Sequence, residues 1–317
     1  MLLEGSPTIS TEMNTTVMEP ADRYTASAFG LTIDSAIELP ELKRPPMDTD
    51  EESDVVIRRG TVEEIRPSSS SYITTDGTIH LHFATISIAI HDGRTIVVDH
   101  ADDVAPEVIR HVILGPAINH LLHQRGLLVL HASTVAFDGS TVTFLGQSGQ
   151  GKSTMALACL QAGHRVVSDD VAAIEFVDGT PMVHTGYPAI KLDEVVVERF
   201  DLPVGDPINP SYRIDRHFYR LPHEQPSDRL PLERVFLLTD DDKEAVEPLD
   251  VGERVVTLAR NTYTTGLFGD PVERRRNFSQ CGQLAEVVAV DRLHRRRRYD
   301  VLPVVVDLVQ ARCATQC

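Results

Sequence analysis

The sequence is poor in several residue types, and their scarcity excludes some classes of protein. It contains no tryptophan, four lysines and four cysteines among 317 residues. The cysteines form no CxxC pair, so the spacing disfavours a zinc site, and we expect free thiols. No stretch approaches the ~20 uncharged apolar residues that a membrane-spanning helix needs. The first twenty residues are acidic and polar, unlike a secretory signal, so we expect a cytoplasmic protein.

Acidic residues dominate the charged fraction. Asp and Glu number 47 against 30 Lys and Arg, which gives a formal net charge of −17. Only Lys43, Lys152, Lys191 and Lys243 are lysines. Concentrated salt screens repulsion between like charges, so this composition favours a halophilic cytoplasm; an acidic protein from a GC-rich genome is the alternative. Either origin disfavours general nucleic-acid binding, and we expect no nucleic-acid partner.

The residue pattern divides the chain into three parts. Residues 1–22 are polar and unpatterned, and they are predicted to be a disordered leader. Short alternating segments predict a β-rich N-terminal domain over residues 23–104. Mixed helical and strand patterns predict an α/β catalytic domain over residues 105–317. The N-terminal predictions include one strand at 28–33 and a β-hairpin over residues 86–98.

The predicted catalytic domain begins with an amphipathic helix over residues 105–124. Gly115 and Pro116 lie inside this helix and are expected to kink or split it. One strand is predicted over 127–135, an irregular proline-containing region over 178–232, and further helices over 252–266 and 303–313.

One motif has a strong chemical meaning. The segment GQSGQGKS fits the phosphate-binding pattern GxxxxGK[ST], with an apolar strand before it and a helical pattern after it. Glycines let the backbone N–H groups face phosphate oxygens, Lys152 can reach the β- and γ-phosphates of ATP, and Ser153 can bind Mg²⁺. The residues predicted to bind the nucleotide are Gly146, Gln147, Ser148, Gly149, Gln150, Gly151, Lys152, Ser153 and Thr154.

A second acidic element is needed for chemistry on the bound phosphate. Asp169 and Asp170 follow the strand after the helix that begins at this phosphate-binding loop (the P-loop), and the end of that strand is expected to lie beside the loop. Two carboxylates there can divide metal binding and proton transfer, or they can form a surface turn. Asp240, after an apolar strand, is a competing candidate for the second acid.

Residues 125–175 resemble the catalytic domain of HPr kinase/phosphorylase. The shared features are LHAS around His131, the P-loop, its helix, and the segment GHRVVSDD that ends at Asp170. The resemblance implies an α/β P-loop kinase domain of the HPr kinase/PEP-carboxykinase-like type, preceded by a small β-rich domain. It implies that Asp169 accepts the proton of the acceptor hydroxyl, that Asp170 and Ser153 lie at the metal, and that His131 positions the acid pair.

HPr-kinase-like proteins of varied bacterial and archaeal gene clusters resemble the chain over nearly its whole length, through phrases such as GYP at 186–188 and YRLP at 219–222. The family's E-(I/V)-R-G signature for phosphorolysis is absent, which puts the reverse reaction in doubt. We therefore expect an ATP- and Mg²⁺-dependent kinase acting on a hydroxyl, such as a serine, of a protein, peptide or small molecule; a homo-oligomer stays open.

Two other functions remain open from the residues alone. A P-loop ATPase switch would depend on Asp240, and a nucleotide sensor would bind without turnover. Arg213, Arg216 and Arg220 are candidates for a cation that reaches the transferred phosphoryl group. The basic run at 292–298 can dock an acidic partner or form a solvated face.

Overall fold

The computed structural model describes residues 23–44, 52–63, 71–73, 76–200, 216–222, 224–226, 229–263 and 271–314 of a mixed α/β protein. The predicted leader at 1–22 lies outside these residues. A first sheet has the strand order β1-β2-β3-β7-β6-β5-β4. Its strands are β1 (Tyr24–Ala28), β2 (Leu31–Ser35), β3 (Val55–Arg59), β4 (Ser71–Ile73), β5 (Ile79–Phe83), β6 (Ile86–His91) and β7 (Thr95–His100).

Two β-hairpins of this sheet can be compared with the predicted strands. The hairpin over residues 86–98 is confirmed, since β6 and β7 pair in antiparallel fashion. The single strand at 28–33 is wrong, because β1 and β2 form an antiparallel hairpin instead. Phe29 (φ 55°) and Gly30 (φ 72°) both adopt left-handed backbone conformations and reverse the chain between the two strands.

The helix predicted over residues 105–124 is split, as its Gly-Pro pair indicated. It consists of α1 (Pro106–Val112), a π-helical turn (Ile113–Ala117) and α2 (Ile118–Gln124). Pro116 lacks an N–H group and interrupts the α-helical hydrogen-bond ladder, which accounts for the wider turn. The buried side chains of this segment share one hydrophobic core with the first sheet.

A second sheet of nine strands holds the phosphate-binding motif. Its main path is β11-β9-β10-β16-β13-β12-β8, with β18 beside β16 and β17 beside β18. The strands are β8 (Leu128–Leu130), β9 (Ala132–Phe137), β10 (Ser140–Leu145), β11 (Arg165–Ser168), β12 (Ala172–Val177), β13 (Thr180–Val183), β16 (Leu230–Asp240), β17 (Ala245–Pro248) and β18 (Ala289–Arg295). Strands β10, β16 and β18 are parallel, and β9 runs antiparallel to both β10 and β11. The carboxyl ends of β10, β11, β16 and β18 therefore meet at one edge.

The strand predicted over 127–135 breaks at His131. Before this residue, β8 pairs with β12; after it, β9 pairs with β10 and β11. The N–H group of His131 donates instead to the carbonyl of Asn261 at 2.8 Å. The prediction of one strand is wrong. The apolar pattern continues from β8 into β9, so the sequence does not reveal that the pairing partner changes at His131.

The remaining elements surround the second sheet. A small sheet pairs β14 (Ala189–Asp193) with β15 (Arg216–Arg220). The helices are α3 (Lys152–Gln161), α4 (Glu194–Phe200), α5 (Val251–Arg260), α6 (Pro271–Val287) and α7 (Leu302–Ala314), with a 3-10 turn at Tyr299–Val301. The prediction that 178–232 is irregular is therefore wrong for its described part, which contains strands and α4. Helix α6 is not predicted from the sequence either. Within the described residues, none of the helices combines the length and apolarity needed to span a bilayer.

Candidate active site

The P-loop connects β10 to α3 and adopts a tight left-handed curve. Gly151 immediately precedes α3 with φ of 82°. A Cβ atom at this position would lie 2.9 Å from Nη2 of Arg295. Glycine is therefore needed both for the backbone conformation and for the close approach of the arginine. The N-terminus of α3, with its partial positive charge, points at the loop.

Lys152 is the first residue of α3 and is 7% exposed. Its ammonium donates to the carbonyl oxygens of Gly146 at 2.9 Å and Gln147 at 3.3 Å. The lysine therefore lies folded over the loop, next to the space that the loop encloses. A phosphate group entering that space would offer this ammonium a charged acceptor in place of neutral carbonyls.

Two arginines from the end of β18 support the loop from outside, and sequence reasoning did not assign them to it. Arg295 donates to the carbonyl of Gln150, and Arg297 donates to the carbonyl of Gly149 at 2.5 Å. In a trans peptide the N–H points away from the carbonyl. The bond from Arg295 to the Gln150 carbonyl therefore directs the N–H of Gly151 away from Arg295. Arg296 and Arg298 pair instead with acidic neighbours, as a solvated face does.

Asp169 is buried at the end of β11. Its Oδ1 accepts from the Ser133 hydroxyl at 2.5 Å, and its Oδ2 accepts from the main-chain N–H of Lys191 at 2.9 Å. Ser153 of the P-loop lies near enough to lower the pKa of this carboxyl slightly. Burial raises the pKa of Asp169, and these hydrogen bonds only partly offset that effect. The carboxylate therefore connects β9 to β14 beside the P-loop.

Asp170 has a left-handed backbone, with φ of 69°, which directs its side chain differently from that of Asp169. Its Oδ1 lies 3.2 Å from Nδ1 of His131, and its Oδ2 lies 4.0 Å from Nζ of Lys191. Burial opposes ionisation, but the hydrogen bond from His131 and the charge of Lys191 outweigh it and lower the pKa of Asp170 to about 2. Asp170 is thus an ionised carboxylate at neutral pH.

His131 is held in one orientation beside this carboxylate. Its Nδ1 also lies 3.2 Å from the main-chain oxygen of Asp170, so both neighbours of Nδ1 are acceptors and the proton belongs on that nitrogen. The ring of Tyr263 packs edge-on against the imidazole, with 5.4 Å between the ring centroids. The break between β8 and β9 is what places His131 at this position.

One cavity is lined by most of the predicted site residues. It is lined by the P-loop and the start of α3, and by His131, Asp170 and Lys191 from three other elements; the full lining is His131, Gly149, Gly151, Lys152, Ser153, Thr154, Asp170, Lys191, Leu192, Asp193 and Val196. Lys191 was missed as a site residue. The scarcity of lysine was an available signal, because two of the four lysines line this cavity.

Other candidates lie outside the cavity. Asp240 is exposed at the end of β16, and its carboxylate lies 4.0 Å from the guanidinium of Arg297. Arg220 donates to the carbonyl of Pro40 at 2.7 Å, at the small-sheet side of the molecule. Arg213 and the side chain of Arg216 lie outside the described residues. A larger hollow is lined by β1 and by residues 220–222 and 224–225, among others, and its lining includes neither aspartate of the pair and no P-loop residue.

The comparisons with known proteins confirm the predicted resemblance over a limited segment. No protein-family model matches the chain. Over 59 residues, 19% of this chain, it is 37% identical to the HPr kinase/phosphorylase of Treponema pallidum, with the same values for two strains of that organism. That match spans 18% of the length of each relative.

Among solved structures, the chain is similar to the HPr(Ser) kinase/phosphatase from Coxiella burnetii. The alignment covers 58% of this chain and 95% of that one, with 14% identity and a TM-score of 0.31. This score is too low to establish a common fold over the covered residues. The resemblance is therefore carried by the short segment of sequence identity.

Proposed function

We propose that the protein is an ATP-dependent kinase that transfers the γ-phosphoryl group to a hydroxyl acceptor. The observation that supports this most is the placement of Asp170, His131 and Lys191 in the cavity formed by the P-loop. A carboxylate held ionised beside a phosphate-binding loop can orient and deprotonate a hydroxyl, which nucleotide binding alone does not require. The segment shared with HPr kinase/phosphorylase supports the same class of reaction.

The nucleotide side of the reaction rests on the P-loop. Backbone N–H groups of the loop and the N-terminus of α3 bind the phosphates, and Lys152 leaves its carbonyl partners to contact the β- and γ-phosphates. The donor set fits Mg²⁺, because the Ser153 hydroxyl and the Asp169 carboxylate lie close together beside the loop and Mg²⁺ prefers oxygen ligands. Bound there, the ion would neutralise phosphate charge.

The contacts favour a division of labour between the aspartates that differs from the one implied by the resemblance. Asp169 is 5% exposed, accepts from Ser133 and from the Lys191 N–H, and lies near Ser153, as suits a residue that holds the metal site. Asp170 lines the cavity and can face an acceptor. The raised pKa of Asp169 would make it the stronger base, but access comes first, since a base must reach the proton it takes.

Lys191 contributes the positive charge that the transfer needs. Its main-chain N–H positions Asp169, while its ammonium lies near Asp170 in the cavity. When the γ-phosphoryl group leaves ADP, negative charge on its oxygens is spread and moves toward the acceptor. The ammonium of Lys191, which lines the same cavity as the P-loop, stabilises that charge.

One labelling experiment distinguishes the proposed kinase from a P-loop ATPase. Protein is incubated with γ-labelled ATP, Mg²⁺ and a desalted lysate plus its small-molecule fraction, alongside Lys152→Ala and Asp240→Asn variants. A kinase labels an acceptor, loses this with Lys152→Ala and keeps it with Asp240→Asn. Free labelled phosphate as the only product, abolished by Asp240→Asn, would replace the proposal with the ATPase function.

A further inference from the structure

A second cavity is also lined by Asp170, but its lining contains no P-loop residue. Its lining comes from the split helix, the small sheet and the end of α5: His111, Leu114, Gly115, Pro116, Asp170, Tyr187, Lys191, Phe218 and Tyr263. Asp170 and Lys191 are common to both cavities. Two substrates of a transfer reaction must approach one catalytic group from different directions, and this arrangement provides two approaches to one carboxylate.

The π-helical turn forms one wall of this cavity, and it is held in place by a buried tyrosine. The Tyr187 hydroxyl donates to the carbonyl of Leu114 at 2.6 Å. Tyr187 is 3% exposed, and its ring also packs edge-on against Phe29 of the first sheet, with centroids 5.2 Å apart. π-Helical turns inside α-helices are frequent at functional sites. Here the turn brings Gly115 to face Tyr263.

The size of the cavity limits what it can hold. Its volume is about 30 Å³, the same as that of the cavity at the P-loop. At ~15 Å³ of such volume per water molecule, it holds about two waters, which suits the hydroxyl end of an acceptor. The walls from Phe218 and Tyr263 are aromatic, while Lys191 contributes a positive charge. The ammonium of Lys191 also lies 5.7 Å from the centroid of the Phe218 ring, which restricts its position.

Resting on the proposed function, we propose that this cavity receives the hydroxyl end of the acceptor and that the acceptor is a small hydroxy acid. Its hydroxyl points to Asp170, and its carboxylate faces Lys191. In the transfer, the hydroxyl oxygen forms the new bond to phosphorus as the bond from phosphorus to the ADP oxygen breaks. ADP leaves with that electron pair, and the hydroxyl proton passes to the carboxylate of Asp170 and then to solvent.

The test fills the cavity without touching the P-loop. A Cβ atom at Gly115 would meet only the Tyr263 hydroxyl, at 3.9 Å, so the larger side chain of Gly115→Val extends into the cavity. The matched control is Gly282→Val in α6, where a Cβ atom meets nothing within 4 Å. Label transfer from ATP is measured to L-serine, D-glycerate, L-serinamide and a serine-containing peptide, and nucleotide affinity is measured separately with a fluorescent ATP analogue.

We expect wild type and Gly282→Val to label L-serine or D-glycerate, with at least tenfold less transfer to L-serinamide. Gly115→Val should reduce transfer at least tenfold while nucleotide affinity stays within twofold. Tyr263→Phe, which keeps the aromatic wall, should raise the KM for the acceptor and leave the KM for ATP unchanged. This milder variant decides the question if Gly115→Val does not fold.

Three results would overturn the inference. Labelling of the peptide or of a lysate protein, with no labelled small hydroxy acid, would reject the acceptor class while leaving the kinase function in place. Unchanged transfer by a folded Gly115→Val protein would reject the cavity as the acceptor site. No labelled product from wild type with any acceptor would reject both this inference and the proposed function.

Discussion

The two neighbouring aspartates show how strongly single contacts decide a residue's chemistry. Asp169 lies in a buried network with Ser133, and its pKa is raised by that burial. Asp170, one residue later, turns through a left-handed backbone toward His131 and has a lowered pKa. Adjacent carboxylates in different surroundings can take separate tasks. The opposite pKa shifts of the two aspartates come from the left-handed backbone at Asp170, which gives the two side chains different surroundings.

Lys152 gives the first prediction at this scale. Lys152→Ala removes the one buried ammonium that the loop carbonyls hold, so the affinity for Mg-ATP should fall at least tenfold. Isothermal titration calorimetry measures this directly. Lys243→Ala, in the exposed loop after β16, is the matched control and should keep wild-type affinity. Equal affinities of the two variants would contradict the assigned role.

Asp170 gives a pH-dependent prediction. Its pKa is about 2 in the folded protein and 3.8 in the unfolded chain, so its ionised form stabilises the fold above pH 4. This contribution is lost as pH falls through the range from about 4 to 2. Asp170→Asn keeps the left-handed backbone, which asparagine tolerates, and should lower the free energy of unfolding at pH 7 by about 2 kcal/mol.

Urea unfolding of wild type and Asp170→Asn at pH 7 and pH 3 measures this difference. The difference between the two proteins should shrink by about half at pH 3. A difference that does not change with pH would mean that the Asp170 carboxylate is not held ionised by its neighbours.

At the level of secondary structure, the P-loop lies between α3 and the end of β18. Arg295 and Arg297 bind its outer carbonyls, while Lys152 binds carbonyls on its inner side. A phosphate-binding loop must hold its N–H groups in place before the ligand arrives, because ordering them on binding would cost affinity. The strand end therefore acts as a support for the loop.

Arg295→Ala tests this support. The side chain is 4% exposed and donates to Gln150, so its removal frees the loop and should weaken binding of a fluorescent ATP analogue about tenfold. Arg298→Ala removes an exposed arginine that pairs with Asp300 two residues away, and it should leave affinity unchanged. Loss of affinity in both variants would indicate a general effect of positive charge instead.

Elements that depend on neighbouring residues are predicted well from the sequence. Features that depend on pairing between distant residues are not. The β6–β7 hairpin and α3 follow from nearby residues, namely a turn at Asp92–Gly93 and a P-loop followed by an apolar helix. The break at His131 depends on pairing of β8 with β12, some 40 residues away, which alternation does not encode. Lys191 and Arg295 reach the site from separate elements and belong to no local motif.

For the whole molecule, the acid excess is the dominant physical feature. A net charge of −17 on 317 residues creates repulsion across the surface that opposes compaction. Exposed ion pairs such as Arg298–Asp300 contribute little at any salt concentration. Stability therefore depends on how far the surrounding solution screens like charges.

Salt should stabilise this protein. The Debye length falls from about 10 Å at 0.1 M salt to about 3 Å at 1 M, which removes most repulsion between surface carboxylates. We expect the midpoint of thermal unfolding to rise by several degrees between 0.1 M and 2 M KCl, measured by circular dichroism. An unchanged or lower midpoint in 2 M KCl would contradict the halophilic interpretation.

The central claim is that Asp170 serves phosphoryl transfer and not nucleotide binding. The most direct measurement compares wild type and Asp170→Asn in 2 M KCl, with Mg-ATP affinity by calorimetry and single-turnover transfer of the labelled γ-phosphoryl group to the acceptor. The account predicts affinities within threefold and at least a hundredfold slower transfer by the variant. Transfer by Asp170→Asn at a rate within threefold of wild type would contradict it.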